Sequence, residues 1–332
     1  MSHHKAINHR RRRIVAIAGG IAAALTLPAI PLTSAAAEPV TLTVYGAGTL
    51  AKPFTEMARA FEKTHAGIVV QAQFGGSVKM VKKVTVLKER ADVVAVADYT
   101  VIPKYMFGAK GDAPLATWYA GFLGNAITFI YTPKSKFAKD INADNWYEVL
   151  ARPGVEIGRS NPDTDPSGYQ TLQMLELAAA HYHRPGLAEA ILKNAPQTNI
   201  RDTETDLISA LQIGQIDYLA IYRSDALQHH FEYLKLPPEI DLSDPKYAAD
   251  YAKIVVHTKN GALTAKPIVY ALTIPTNAPH AAAAAQFVAF VLGPEGRAIA
   301  ERNGFRTLSP AYAVHRDRMP EALRALTRDW EE

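Results

Sequence analysis

Short apolar runs alternate with longer stretches in which apolar positions recur every three or four residues. The runs at 41–45, 68–73, 93–97, 126–131, 156–158, 218–221 and 268–274 predict strands. The stretches at 53–63, 78–88, 145–150, 168–182, 186–194, 204–212, 281–292 and 294–302 predict helices. This alternation predicts an α/β fold whose sheets are mostly parallel and covered by helices. No repeat of fixed period is visible, and the stretch from Pro237-Pro238 to Pro245 reads as a loop without obvious chemistry. The run at 126–131 ends at Thr132-Pro133-Lys134, and the run at 268–274 ends at Pro275-Thr276-Asn277-Ala278-Pro279. Long, apolar and far apart in sequence, these two strands suit a pair of crossovers into and out of an inserted domain. The competing arrangement is one large sheet that holds both.

Two of the predicted strands run into turns of a special kind. Val40-Thr41-Leu42-Thr43-Val44-Tyr45 leads to Gly46-Ala47-Gly48-Thr49-Leu50, and Ile68-Val69-Val70-Gln71-Ala72-Gln73-Phe74 leads to Gly75-Gly76-Ser77-Val78-Lys79. Each is a strand, a small-residue turn with a hydroxyl, and a helix. Glycine lets a ligand approach the backbone, and a helix N-terminus offers unpaired N–H groups with partial positive charge. Two such turns facing one point would bind an anion without lysine or arginine.

The N-terminus changes the charge picture. Lys5 and Arg10 to Arg13 precede an apolar stretch from Ile14 to Ile30, broken by Gly19, Gly20 and Pro28, and Ala35-Ala36-Ala37 offers a cleavage site before Glu38. That pattern predicts a signal peptide over 1–37, by the general secretory or the twin-arginine route, with an uncleaved anchor as the competing reading. The segment carries five basic and no acidic residues, so the +4 of the whole chain becomes −1 without it. The basic balance is therefore no argument for nucleic acid. The remaining 295 of 332 residues suffice for two domains with real cores. Cysteine is absent, which excludes disulfides, thiolate metal sites, a cysteine nucleophile and an N-terminal lipid anchor. A freely soluble, periplasmic or otherwise extracytoplasmic monomer is expected.

Four further segments carry local chemistry. Ser160-Asn161-Pro162-Asp163-Thr164-Asp165-Pro166-Ser167-Gly168-Tyr169 forms a shaped loop before a helix; Thr203-Glu204-Thr205-Asp206-Leu207 starts another helix; Ala220-Ile221-Tyr222-Arg223-Ser224-Asp225 ends a strand; and Ala91 to Tyr99 is an apolar strand ending in Asp98. Each has a plainer counterpart. Thr49 and Ser77 would serve as helix caps, Asp165 as a turn acid, Glu204 as a first-turn acid that complements the dipole, and Tyr222 as a core tyrosine. Their coincidence at strand C-ends and helix N-ends favours a ligand site, because open α/β sheets bind ligands there. P-loop, nucleophile-elbow and H-E-x-x-H motifs are missing, and Gly46-x-Gly48 lacks the third glycine of a dinucleotide site. His181-Tyr182-His183 and His229-His230 lack a third metal ligand at sensible spacing.

On these motifs, together with Asp144-Asn145-Trp146-Tyr147-Glu148, Asp217-Tyr218, Gln228-His229-His230 and Ala265-Lys266-Pro267-Ile268-Val269-Tyr270, nearly all of the chain after residue 37 resembles the molybdate/tungstate-binding proteins of ABC importers, in the tungstate-type branch. The resemblance implies a bilobal, type II periplasmic-binding-protein fold joined by a two-strand hinge. Residues 38–123 and 268–332 would form one lobe and 124–267 the other. It implies that Thr49 and Ser77 face the oxyanion from one lobe, with Ser167 and the Tyr222 hydroxyl facing it from the other. Asp165 and Glu204 would be metal ligands, since two carboxylates beside a dianion are tolerable only if they coordinate the molybdenum or tungsten centre. The family usually has serine at the position of Thr49. The resemblance further implies membrane permease subunits as partners, no enzymatic activity, and no cofactor besides the bound oxyanion. A binder of sulfate, phosphate or ferric iron is the nearest alternative. A hydrolase or transferase on the same scaffold is the alternative of another class, but no nucleophile–base pair is evident.

Overall fold

The computed structural model describes residues 39–108, 113–202 and 204–330, and for Glu204 and Thr205 the backbone alone. The predicted signal peptide lies outside the described residues. The strands in chain order are β1 (Val40–Ala47), β2 (Ile68–Gly75), β3 (Val93–Val96), β4 (Tyr119–Gly124), β5 (Ile127–Tyr131), β6 (Ile157–Ser160), β7 (Ile200–Arg201), β8 (Tyr218–Tyr222), β9 (Glu232–Tyr233), β10 (Val255–Thr258), β11 (Gly261–Thr264), β12 (Val269–Thr273), β13 (Arg306–Val314) and β14 (Thr327–Asp329). One sheet runs β14-β13-β4-β12-β3-β1-β2, another runs β7-β6-β8-β5-β9, and β10-β11 is a separate hairpin.

The sheets are mixed rather than mostly parallel, which corrects the expectation from sequence. In the larger sheet β1 pairs in parallel with β2 and β3, and β13 with β14. The strand β12 returns from the other sheet and slots antiparallel between β3 and β4, and β4 is antiparallel to β13 as well. In the smaller sheet β6 is parallel to β7 and β8, whereas β5 is antiparallel to β8 and β9. Neither predicted crossover strand bridges the sheets, since β5 lies wholly in the smaller one and β12 wholly in the larger. The chain crosses at Asn125-Ala126, between β4 and β5, and returns at 265–268, between β11 and β12.

Hydrophobic patterning explains the layers. The fully buried runs of β3, β4 and β8 occupy sheet interiors, while the edge strand β2 alternates, with Val69, Gln71 and Gln73 less covered than their neighbours. The helix Ala281–Leu292 buries Ala284, Phe287, Val288, Val291 and Leu292, a stripe at helical spacing. Phe287 meets Phe61 and Phe54 of the helix Ala51–Thr64 edge-on, at 5.3 and 6.2 Å between ring centroids. Among the described residues no helix is long and apolar enough to cross a membrane.

Phe287 is fully buried, so Phe287→Ala should cost about 3–5 kcal/mol of stability. Urea unfolding followed by circular dichroism checks this. An unchanged midpoint would contradict the packing described.

Candidate functional site

The chain leaves β1 through a tight 3-10 turn, Gly48–Leu50, and enters the helix Ala51–Thr64. Thr49 sits in that turn, buried, and makes no side-chain capping bond there. Its Oγ1 lies 2.9 Å from the buried Tyr270 hydroxyl of β12. Ser77 opens the helix Ser77–Thr85 and is fully buried, with Gly76 at the N-cap and no side-chain cap. The Ser77 Oγ accepts the Ala97 N–H at 2.9 Å, so its proton is left for another acceptor. Both hydroxyls thus make long-range contacts instead of the local capping bonds that small polar residues make at helix starts.

The facing wall is the loop after β6. Asp165 is buried at the N-cap of the helix Pro166–His181, and the Ser167 Oγ donates to its Oδ2 at 2.8 Å. Gly76 touches this wall directly. A Cβ on Gly76 would lie 2.5 Å from the Thr164 carbonyl oxygen and 3.1 Å from the Asp165 Cβ. The Lys79 N–H also donates to the Thr164 carbonyl, at 3.4 Å. A side chain at position 76 would therefore hold the two walls apart, which gives this glycine its reason.

Tyr222 ends β8, fully buried, and its hydroxyl donates to Gln170 Oε1 at 2.7 Å. Its ring meets Tyr270 edge-on at 5.7 Å, and Tyr270 in turn touches Thr49. Thr49, Ser77, Asp165, Ser167 and Tyr222 are thereby joined through Gly76, Gln170 and Tyr270. Glu204 begins the helix Glu204–Gln212, and its side chain lies outside the described residues.

Sequence reasoning missed three participants. Asn125, at the first crossing, donates to the Ser224 Oγ at 2.8 Å and to the Tyr270 hydroxyl at 3.2 Å. Tyr270 was noticed only as part of a motif. Asp225 has no role in the sequence reading, although it stands in the first turn of the helix that follows Tyr222. Ser160, which opens the loop that carries Asp165, ends β6 with a buried Oγ, and its hydroxyl, like that of Ser167, favours the ionised form of Asp165.

The electrostatics are unusual for an anion site. Burial pushes the Asp165 carboxyl above the usual carboxylate range, against the opposing effect of the Ser167 hydroxyl. Burial, and then the charge of Asp165, push Asp225 well above that range. Among the described residues no lysine, arginine or histidine is ion-paired with either acid, and no cluster of three His, Asp or Glu side chains is placed to hold a metal. A roomier cleft of 870 Å³, bounded by Tyr99, Lys266, Arg306, Tyr312, Arg328 and Trp330 among others, includes none of these site residues.

Residues 42–306 match the family of bacterial extracellular solute-binding proteins. An uncharacterized solute-binding protein of Petrotoga mobilis is 41% identical over 295 residues, covering 86% of this chain and 90% of the relative. The molybdate/tungstate-binding protein WtpA of Pyrococcus abyssi is 36% identical over 313 residues, covering 86% and 89%. Among solved structures, the periplasmic molybdate-binding protein of Azotobacter vinelandii superposes with a TM-score of 0.58 at 20% identity, over 80% of this chain and 98% of that one. The sulfate-binding protein SubI of Mycobacterium tuberculosis does so with a TM-score of 0.58 at 15% identity, over 82% and 88%. Both structural likenesses place the fold among the bilobal periplasmic binding proteins.

Because both acids titrate above their unfolded values, the folded chain keeps protons that the unfolded chain has released. Stability is therefore lost as pH rises from about 4, the unfolded aspartate value, through the raised values. Asp225→Asn removes its own share of that loss, while the share of Asp165 remains. Its thermal midpoint should exceed wild type at pH 8. The gap should narrow toward pH 4. Equal midpoints at pH 8, read by scanning calorimetry, would contradict the buried acid pair.

Proposed function

The chain belongs to the bacterial extracellular solute-binding proteins, and from that premise we propose that it captures tungstate or molybdate outside the cytoplasm and delivers it to the permease subunits of an ABC importer. The observation that carries this reading is the meeting of the Ser77 turn with buried Asp165, across a contact that Gly76 alone permits. Hydroxyl and N–H donors on one side and a carboxylate without a cation on the other suit a metal oxyanion better than a plain one.

The physical reasoning is as follows. Ser77 offers its unused hydroxyl proton to the oxyanion, Thr49 and Tyr222 would turn theirs from Tyr270 and Gln170 toward it, and the first N–H groups of the helix Ser77–Thr85 add partial positive charge. Asp165 and Glu204 approach the metal instead of the oxygens. Mo(VI) and W(VI) are hard centres that accept carboxylate oxygen, so the charge that would repel sulfate becomes two further bonds, taking the oxyanion from four oxygens toward six. The protein binds its cargo and transforms nothing, as proteins of this family do. A plain sulfate or phosphate site on the same fold is the second reading: burial drives Asp165 toward its protonated form, in which it would donate a hydrogen bond to such an anion.

Tungstate and molybdate should raise the melting temperature of the protein without residues 1–37, since a ligand at a hundred times its Kd adds about 2.7 kcal/mol. Sulfate and phosphate at the same concentration should not, and equal stabilisation by sulfate would overturn the selectivity.

Asp165→Asn and Glu204→Gln should weaken tungstate binding in calorimetric titration and narrow the preference over sulfate, because each removes a metal ligand. Tighter tungstate binding in both variants would return the two acids to ordinary helix-start roles. Ser77→Ala should weaken binding about tenfold or more, the loss expected for one charge-assisted hydrogen bond.

A further inference from the structure

The β10–β11 hairpin and the smaller sheet's helices touch the larger sheet's side of the cleft at several points. Lys104 Nζ donates to the Asn260 carbonyl at 2.7 Å and Lys82 Nζ to Asn260 Oδ1 at 3.3 Å, in partly or fully exposed positions. Buried contacts are fewer: the Gln228 amide reaches the Thr49 and Asn303 carbonyls at 3.4 and 3.2 Å, and one bond joins two buried side chains beside the proposed ligand site. The Tyr169 hydroxyl, on the helix Pro166–His181, donates to Asp98 Oδ2 at 2.7 Å, and both side chains are buried. The other oxygen of Asp98 is held from its own side of the cleft by the Thr100 N–H and hydroxyl, each at 2.8 Å. The carboxylate is thus fixed by one wall and completed by the other.

The position in sequence sharpens the point. Asp98 follows Ala97, whose N–H is bound to Ser77, and Tyr169 stands two residues after Ser167. The bond therefore ties together the two backbone segments that carry the site residues of opposite walls. We infer that Asp98 and Tyr169 form the latch of the closed cleft, positioning Ser77 against Ser167 and Asp165 without touching the bound oxyanion. The inference rests on the proposed location of the ligand site. When the walls part, water solvates both groups. When they close, the carboxylate is desolvated, and only the Tyr169 hydroxyl completes its bonding. Burial and the charge of Asp98 hold that phenol well above its ordinary titration range, so it remains a donor. Closure without the hydroxyl would leave a buried carboxylate oxygen unpaired beside an incoming dianion.

Tyr169→Phe removes the hydroxyl and keeps the ring. The chain has no cysteine, so Arg59→Cys and Lys193→Cys, exposed on opposite sides of the cleft, provide unique dye positions for single-molecule energy transfer. With no anion added, Tyr169→Phe should shift the distribution toward longer distances. Asp98→Asn should do the same, and the double variant should add little to either single one. With tungstate, Tyr169→Phe should speed dissociation about tenfold and leave association within about twofold. Distributions identical to wild type without anion would overturn the latch, whatever tungstate does. So would a lowered melting temperature accompanied by no change in distance, since that marks a packing role. If wild type ignores tungstate while Tyr169→Phe still opens the cleft, the latch stands and the oxyanion reading falls.

Discussion

The cleft depends on the hydrogen bonding of Asn125. The chain crosses between the sheets at this residue, where buried polar groups must find partners or cost the fold dearly. Its amide nitrogen reaches the Ser224 hydroxyl of one sheet's side and the Tyr270 hydroxyl of the other, while its oxygen accepts the N–H groups of Ala126 and Ser224. Tyr270 passes the connection to Thr49. A polar chain thus runs from one wall of the site, through the crossing, to the start of the helix Arg223–His229. Its members lie in a buried region, so their geometry is set by one another and not by water. The positions of Thr49 and Tyr222 follow from this arrangement.

Against that fixed framework the acids stand out. Buried carboxylates are normally paired with cations, and a site for a dianion would be expected to supply cations rather than further negative charge. Among the described residues Asp165 and Asp225 have neither lysine nor arginine as an ion-pair partner, and burial drives each toward its protonated form. On the oxyanion reading proposed above, proton and metal centre are rival answers to the same excess of charge. Nothing of this conflict arises in a site built of donors alone, which sets this cleft apart from a simple anion cradle.

Much of this was legible in the chain. The seven expected strands and eight expected helices are present, the helices at 204–212, 281–292 and 294–302 with the expected bounds and the other elements with shifted ends, because long apolar runs and helical stripes declare themselves locally. Two of the strands that the pattern does not predict, β4 and β13, break a local rule. Gly121 and Gly124 interrupt β4, yet an added Cβ at Gly121 would strike the Trp330 ring and one at Gly124 the Arg306 guanidinium. Pro310 interrupts β13, whose pairing with β4 shifts register between Thr307 and Tyr312. Parallel and antiparallel pairing were confused because β12 returns from a distant crossing, and no local pattern encodes the direction of return. At the site, small residues after strands pointed to Thr49 and Ser77, whereas Asn125, Tyr270 and Asp98 act through partners more than seventy residues away.

On the oxyanion reading proposed above, the approach at Gly76 would set how far the cleft can shut. There the limiting surfaces are main chain on both sides, the Gly76 backbone and the Thr164 carbonyl. Main chain has no rotamers, so it acts as a mechanical stop that does not yield to the cargo. An adaptable cleft would tighten around any tetrahedral ion until its donors made contact. A cleft with a stop closes to one gauge, and an ion with shorter bonds is left loose within it, its oxygens beyond the reach of the far wall. Selection by size can thus reside in a residue that has no side chain.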